Sequence, residues 1–123
     1  MASAHILYLD DEQPLVFIVK RMLEHLGHKV AGFTQADAAL AEFAANSESY
    51  DLVLSDMSMP GMDGIEFAKA VLGVRREARV FIVSGYVEPK EIERARAAGV
   101  TGVVRKPHTL DEMRQTIAEL LAT

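Results

Sequence analysis

Five polar residues each follow an apolar run that is typical of a buried strand, and their chemistry suits the handling of a phosphoryl group. They are three acids, a serine and a lysine, namely Asp10, Asp11, Asp56, Ser84 and Lys106. An aspartate carboxylate can act as a nucleophile and form an acyl phosphate. A lysine and a hydroxyl could hold phosphoryl oxygens and offset their charge during the transfer.

The three acids also predict a cation site. Carboxylates that converge on one point raise one another's pKa values, and a divalent cation relieves that repulsion. A set of oxygen ligands suits Mg²⁺, and Mn²⁺ could take its place. Asp10, Asp11 and Asp56 are therefore candidate metal ligands.

Each of these residues also has an ordinary structural interpretation. Asp10 and Asp11 could form a solvated pair at a helix start, where the helix dipole favours acids. Asp56 could be a cap or turn residue, and Lys106 could form a simple salt bridge. Ser84 could end its strand through a local hydrogen bond. Their occurrence as a matched set favours a common site.

The elements around these residues predict an α/β fold. Five apolar runs, at 6–9, 30–33, 52–54, 80–83 and 102–105, alternate with segments whose apolar residues recur at helical spacing. Strict alternation predicts a parallel sheet with right-handed crossovers and helices on both faces. Because parallel strands end at one edge, the polar residues should meet there.

Cap and stop signals predict where the helices begin and end. Thr34 and Asp63 are predicted to cap the second and third helices, and 109–112 is predicted to be a capping box for the fifth. Residues 46–49 are predicted to form a loop. Glycines are predicted to end the first, third and fourth helices, at Gly27, Gly73 and Gly99.

Length and composition indicate one globular domain over residues 1–123, of which half are hydrophobic and a quarter charged. No apolar run approaches the roughly 18 residues of a spanning helix, and no signal-peptide core is visible. With no cysteine, the chain is expected to be cytoplasmic and away from the membrane. The net charge of −5 argues against direct binding of nucleic acid.

Taken in order, these motifs resemble those of the receiver domain of two-component response regulators. The matching segments are Leu9-Asp10-Asp11, the stretch 56–64 (DMSMPGMDG), Ser84-Gly85 and Lys106-Pro107. The resemblance covers essentially the whole chain, and the ordered set is far more specific than any one motif.

The resemblance implies a flavodoxin-like, doubly wound sheet of five parallel strands in the order 2-1-3-4-5, with five helices on two faces. It implies that Asp56 accepts a phosphoryl group from a histidine kinase or a histidine phosphotransfer protein. The surface of the fourth helix, fifth strand and fifth helix would then change and signal to an output partner that the sequence does not identify.

The resemblance also assigns ligands. Asp10, Asp11, Asp56 and the carbonyl of Met57 would hold Mg²⁺. Ser84 and Lys106 would bind the phosphoryl oxygens. The bond between Lys106 and Pro107 would be cis, an isomer that costs little only before proline.

Two positions depart from the family pattern. Family members usually carry an aromatic switch residue three positions before the lysine, where this chain has Val103. Tyr86 follows the serine by two residues and is a candidate switch, although an ordinary place at the rim is the slightly better interpretation. His108 is interpreted as a surface residue.

Three other functions fit the sequence less well. An aspartyl-phosphate hydrolase of the dehalogenase class needs a second acid two residues after the first, where this chain has Ser58. A dinucleotide-binding domain needs a glycine-rich turn after the first strand, and none is present. A degenerate receiver that only binds partners would be expected to lose Asp56 or Lys106, and both are present.

Overall fold

A computed structural model describes residues 3–122, which form one five-stranded sheet and five α-helices. The strands are β1 His5–Leu9, β2 Lys29–Phe33, β3 Leu52–Asp56, β4 Val80–Ser84 and β5 Gly102–Arg105. The helices are α1 Gln13–His25, α2 Ala36–Asn46, α3 Gly64–Val74, α4 Pro89–Ala97 and α5 Leu110–Ala122.

The sheet confirms the predicted architecture. All strand pairs are parallel, and the order is β2-β1-β3-β4-β5. Every residue of β3 and β4 is buried, because helices cover both faces of a sheet built from βαβ units. This accounts for the unbroken apolar runs in those strands.

Side chains that alternate along each strand divide the core into two layers. On one face of the sheet, Leu7, Val53 and Ile82 belong to a cluster that includes residues of α2, α3 and α4. On the other face, Tyr8 and Leu54 belong to a cluster that includes residues of α1 and α5. Successive strand residues point to opposite faces, so one strand supplies both layers.

The glycine predictions are right at two helix ends and wrong at the third. Gly27 and Gly99 follow α1 and α4 in the left-handed region, with φ of 97° and 89°. Gly73 lies inside the last turn of α3, which continues to Val74. Glycine without a positive φ is tolerated inside a helix at a cost of about 1 kcal/mol, and so it does not by itself end one.

The capping predictions have mixed outcomes. Asp63 and Glu66 form a complete capping box, with both hydrogen bonds at 2.9 Å. Thr34 does not cap α2, because that helix begins at Ala36 and Gln35 occupies the cap position without a side-chain bond. The predicted cap residue therefore lies one position before the observed one.

The predicted box at 109–112 is half formed. The Thr109 hydroxyl accepts from the backbone N–H of Glu112 at 3.1 Å, but the Glu112 carboxylate accepts from the N–H of His108. The reciprocal bond thus falls one residue before the predicted position. The predicted loop at 46–49 contains a short 3₁₀ helix, Ser47–Ser49.

One backbone expectation is wrong. No cis peptide bond occurs among residues 3–122, so the bond between Lys106 and Pro107 is trans. Trans is the isomer that bonds before proline favour, by about 0.5–1 kcal/mol. Over the same residues, no helix combines the length and the apolar character that crossing a membrane requires.

Candidate functional site

The carboxyl ends of four strands bring the predicted polar residues to one edge of the sheet. Asp56 and Ser84 are the last residues of β3 and β4, while Asp10 and Lys106 directly follow β1 and β5. The registers keep these ends level, since Leu9 pairs with Ser55 and the next residues, Asp10 and Asp56, follow side by side. The predicted edge is confirmed.

Three acids form a compact cluster at this edge. One carboxylate oxygen each from Asp10, Asp11 and Asp56 lies within 4.8 Å of the others. Asp10 is fully buried and Asp56 nearly so, whereas Asp11 is exposed. Carboxylate oxygens at this spacing, open to solvent on the Asp11 side, fit a hard divalent cation such as Mg²⁺.

Met57 directly follows Asp56 in the chain, and its carbonyl is held by a hydrogen bond from the first residue of α3. The backbone N–H of Gly64 donates to it at 2.9 Å. A carbonyl oxygen has two lone pairs, so one remains for a further partner. Met57 thus retains an acceptor for the role that the resemblance assigns to it.

Lys106 joins two of the acids. Its Nζ lies 3.0 Å from Oδ1 of Asp56 and 3.5 Å from Oδ2 of Asp10. Burial lowers the pKa of Lys106, but hydrogen bonding and charge from Asp56 raise it by more, so the net direction is upward. The lysine is therefore held as a cation against the acidic cluster.

The pKa of Asp56 is also shifted upward. Burial is the largest cause, and the charge of Asp10 adds to it, whereas the hydrogen bond from Lys106 acts in the opposite direction. A carboxylate that is poorly solvated and crowded by a second acid is costly to ionise. Added positive charge at this edge would relieve that cost.

Ser84 reaches the edge, but its hydroxyl is turned into its own loop. Its Oγ donates to the carbonyl oxygen of Tyr86 at 2.9 Å and lies 3.3 Å from the Tyr86 N–H. This is the local hydrogen bonding that was one of the two interpretations of Ser84. The Tyr86 side chain is 72% exposed, in agreement with a rim position. His108 is exposed as well, as predicted.

Sequence reasoning missed two residues of the site. Tyr8 donates from its hydroxyl to Oδ2 of Asp10 at 3.0 Å. The signal was available, because residues two apart at a strand end lie on one side of the sheet. The second is Gly64, where an added Cβ would lie 2.4 Å from the carbonyl oxygen of Asp56. Glycine is what lets α3 begin this close to β3.

A family model for the response regulator receiver domain matches residues 6–118. The chain belongs to that family. Receiver domains act as phosphoacceptors in two-component signalling, and this chain has that role rather than that of a classical enzyme.

Individual relatives agree over nearly the whole chain. Sporulation initiation phosphotransferase F of Bacillus subtilis strain 168 is 31% identical over 121 residues, which cover 98% of this chain and 96% of that protein. Virulence sensor protein BvgS of Bordetella bronchiseptica is 29% identical over 127 residues, which cover 98% of this chain. The receiver chain spans about a tenth (10%) of the length of BvgS.

Solved structures share the fold closely. Chemotaxis protein CheY4 of Vibrio cholerae superposes with a TM-score of 0.88 at 26% identity, covering 97% of this chain and 99% of that one. A receiver domain protein of Clostridium thermocellum superposes with a TM-score of 0.86 at 27% identity, covering 97% and 94% of the two chains.

Proposed function

We propose that Asp56 is the phosphoacceptor of this receiver domain and that it works with Mg²⁺. The observation that supports this most is the position of Asp56 between a second buried acid and a lysine. Its carboxylate lies 3.0 Å from Lys106 Nζ and belongs to the cluster of acids within 4.8 Å. The proposed nucleophile, the lysine and the candidate metal ligands therefore lie together at one edge of the sheet.

In the proposed reaction, a carboxylate oxygen of Asp56 forms a bond to the phosphorus of a phosphohistidine. The bond from phosphorus to the imidazole nitrogen breaks, and that nitrogen keeps the electron pair. Lys106 holds one phosphoryl oxygen as a point charge, and Ser84 donates to another once its hydroxyl turns from its own loop. Positioning and charge, rather than a proton transfer, are what the chain supplies.

Asp10, Asp11, Asp56 and the Met57 carbonyl would hold the cation. When bound, Mg²⁺ supplies positive charge to the phosphoryl oxygens. Attack of water on the same phosphorus would break its bond to the Asp56 oxygen, release inorganic phosphate and restore the carboxylate. The chain is thus proposed to catalyse only its own phosphorylation and dephosphorylation.

The proposed phosphodonor is a histidine kinase or a histidine phosphotransfer protein. The relatives support this, because they include a sporulation phosphotransferase and sensor histidine kinase AruS of Pseudomonas aeruginosa. Phe17 and Ile18 on α1 are 61% and 50% exposed and could contact such a donor. We further propose that residues 1–123 act as one domain in the cytoplasm, which the lack of cysteine favours.

We propose that the output signal is carried by α4, β5 and α5. A phosphoryl group on Asp56 would offer Ser84 a new acceptor and draw the loop 84–86 toward the acidic cluster. The Ser84 hydroxyl, bonded to Tyr86 at present, would have to exchange partners. Such an exchange shifts the population between two states of the loop and of α4 behind it.

Incubation with acetyl phosphate and Mg²⁺, followed by mass spectrometry, tests the proposal. The wild-type chain should gain one phosphoryl group, and Asp56→Asn should gain none. Asp111→Asn is the matched control, because Asp111 is an acid with a 91% exposed side chain on α5, and it should be modified like the wild type. An unchanged adduct on Asp56→Asn would refute the assignment, and no adduct on any variant would indicate a degenerate receiver.

A further inference from the structure

Tyr8 contacts the acidic cluster in a way that the proposed phosphoryl transfer does not use. Its hydroxyl donates to Oδ2 of Asp10 at 3.0 Å. Tyr8 is 3% exposed and Asp10 is fully buried. A buried carboxylate cannot be oriented by water, so its protein donors decide which way its lone pairs point.

The donors to Asp10 account for both of its oxygens. The backbone N–H of Glu12 donates to Oδ1 at 3.0 Å, and the Tyr8 hydroxyl donates to Oδ2 at the same distance. Lys106 is farther from Asp10, at 3.5 Å, and closer to Asp56, at 3.0 Å. The two shorter bonds fix the plane of the carboxylate, while Oδ1 keeps a lone pair for a cation.

The ring of Tyr8 is itself held in place. It belongs to the core cluster on the side of α1 and α5, together with Leu54 of β3 and Val83 of β4. A side chain packed in this manner has few alternative rotamers, so its hydroxyl stays directed at Asp10. Asp11 is different, because it is exposed.

We propose that Tyr8 is a positioning residue that holds Asp10 in the orientation in which it binds Mg²⁺. The inference rests on the proposed function, since it requires a cation at Asp10, Asp11 and Asp56. Ligands held by neighbouring hydrogen bonds bind more tightly, and loss of such a partner typically costs about 10–100-fold in metal affinity. The cost arises because the ligand must be ordered when the cation binds.

A purely structural role would also account for a bonded tyrosine, because buried hydroxyls generally find partners. Tyr50 provides the comparison. Its hydroxyl donates to Oε2 of Glu42 at 2.7 Å, and Tyr50 precedes β3, at the opposite edge of the sheet from the acids. Tyr50→Phe thus removes the same kind of bond without touching the proposed cation site.

The test is a Mg²⁺ titration followed by NMR in the wild type, Tyr8→Phe and Tyr50→Phe. The Kd should rise about tenfold in Tyr8→Phe and should not change in Tyr50→Phe. A Kd for Tyr8→Phe within about twofold of a wild type that does bind Mg²⁺ would overturn the inference and leave the proposed function standing. A wild type that binds no Mg²⁺ would overturn both.

A second measurement does not depend on removing the Tyr8 hydroxyl. The chain has three tyrosines and no tryptophan. A variant that combines Tyr50→Phe with Tyr86→Phe therefore keeps Tyr8 as its one tyrosine, and tyrosine fluorescence then reports on Tyr8 alone. Emission from Tyr8 should change as Mg²⁺ saturates the site, because the acceptor of its hydrogen bond becomes a ligand. Emission that stays constant at saturation would contradict the proposed link.

Discussion

Asp63 and Arg94 connect the loop that follows Asp56 to the fourth helix. The Asp63 carboxylate caps α3 through the N–H of Glu66 and lies 3.1 Å from the Arg94 guanidinium on α4. The helix α4 is largely polar, and Ala95 is its one buried residue, so apolar packing holds it only weakly. The helix is therefore tethered at one end to the segment that follows Asp56.

Arg94→Ala should loosen α4 more than it destabilises the domain. Both partners are partly exposed, so the pair should contribute only about 0.2–1 kcal/mol in a double-mutant cycle with Asp63→Ala. Amide exchange within α4 should nevertheless accelerate. Arg96→Ala is the control, because Arg96 pairs at 3.9 Å with Glu93 on its own helix. Equal exchange in the two variants would show that the tether has no effect.

Asp56→Asn should stabilise the domain at neutral pH. The pKa of Asp56 is raised, chiefly by burial, so ionisation costs stability as pH rises through the shifted pKa. The difference from wild type should shrink as pH falls below the raised pKa of Asp56, because the wild-type acid is then protonated. Denaturant unfolding at neutral pH and at a pH below that pKa measures the difference. Asp37→Asn removes the charge of an exposed acid in the first turn of α2 and should lower the free energy of unfolding by no more than about 1 kcal/mol. A destabilised Asp56→Asn would contradict the prediction.

His28 should make the domain less stable as pH falls below about 6.5. Its ring accepts from the N–H of Ala4 at 3.0 Å, and burial lowers its pKa. Because burial lowers the pKa of His28 in the folded state, the unfolded chain takes up this proton more readily. The stability contributed by neutral His28 is therefore complete above the pKa of the unfolded state, and it is lost as pH falls toward the pKa of the folded state. Unfolding measured from pH 7.5 to 5.5 should show a flatter profile in His28→Asn, and the profile of the exposed control His108→Asn should match wild type.

Gly64→Ala should be costly where Gly73→Ala is not. The new methyl group would lie 2.4 Å from the Asp56 carbonyl oxygen, and the overpacking should cost about 1–3 kcal/mol. A Cβ added at Gly73, in the same helix, would meet no atom of another element within 4 Å. Alanine at this position should therefore stabilise the domain by about 0.5–1 kcal/mol. Thermal unfolding of the two variants decides this, and equal changes would mean that α3 shifts to make room.

The response to phosphorylation should depend on the loop 84–86 rather than on Val103. Val103 is too small to swing as an aromatic gate, whereas Tyr86 is exposed and bonded to Ser84 through its backbone. Tyr86→Ala should therefore reduce the NMR response of α4 to a phosphoryl mimic, and Val103→Ala should leave it. The reverse pattern would refute a mechanism centred on the loop.

Local sequence patterns were enough to predict the fold and most of the candidate site. Apolar runs alternating with helical periodicity require a parallel sheet, and a parallel sheet places all strand ends on one edge. Asp56 ends its strand, and Asp10 and Lys106 directly follow theirs, so their meeting could be deduced from local pattern alone. The capping box at Asp63 was readable for the same reason, because all its partners lie within four residues.

The contacts between side chains could not be predicted in this manner, because they depend on how the layers pack. The Ser84 hydroxyl donates to the carbonyl oxygen of Tyr86 in its own loop. The orientation of Asp10 depends on the Tyr8 ring, which packs in the core layer shared with α1 and α5. Arg94 meets Asp63 across 31 residues of chain, a distance at which no local pattern acts. Such contacts depend on crossing angles and rotamers, which are settled only when the layers pack together.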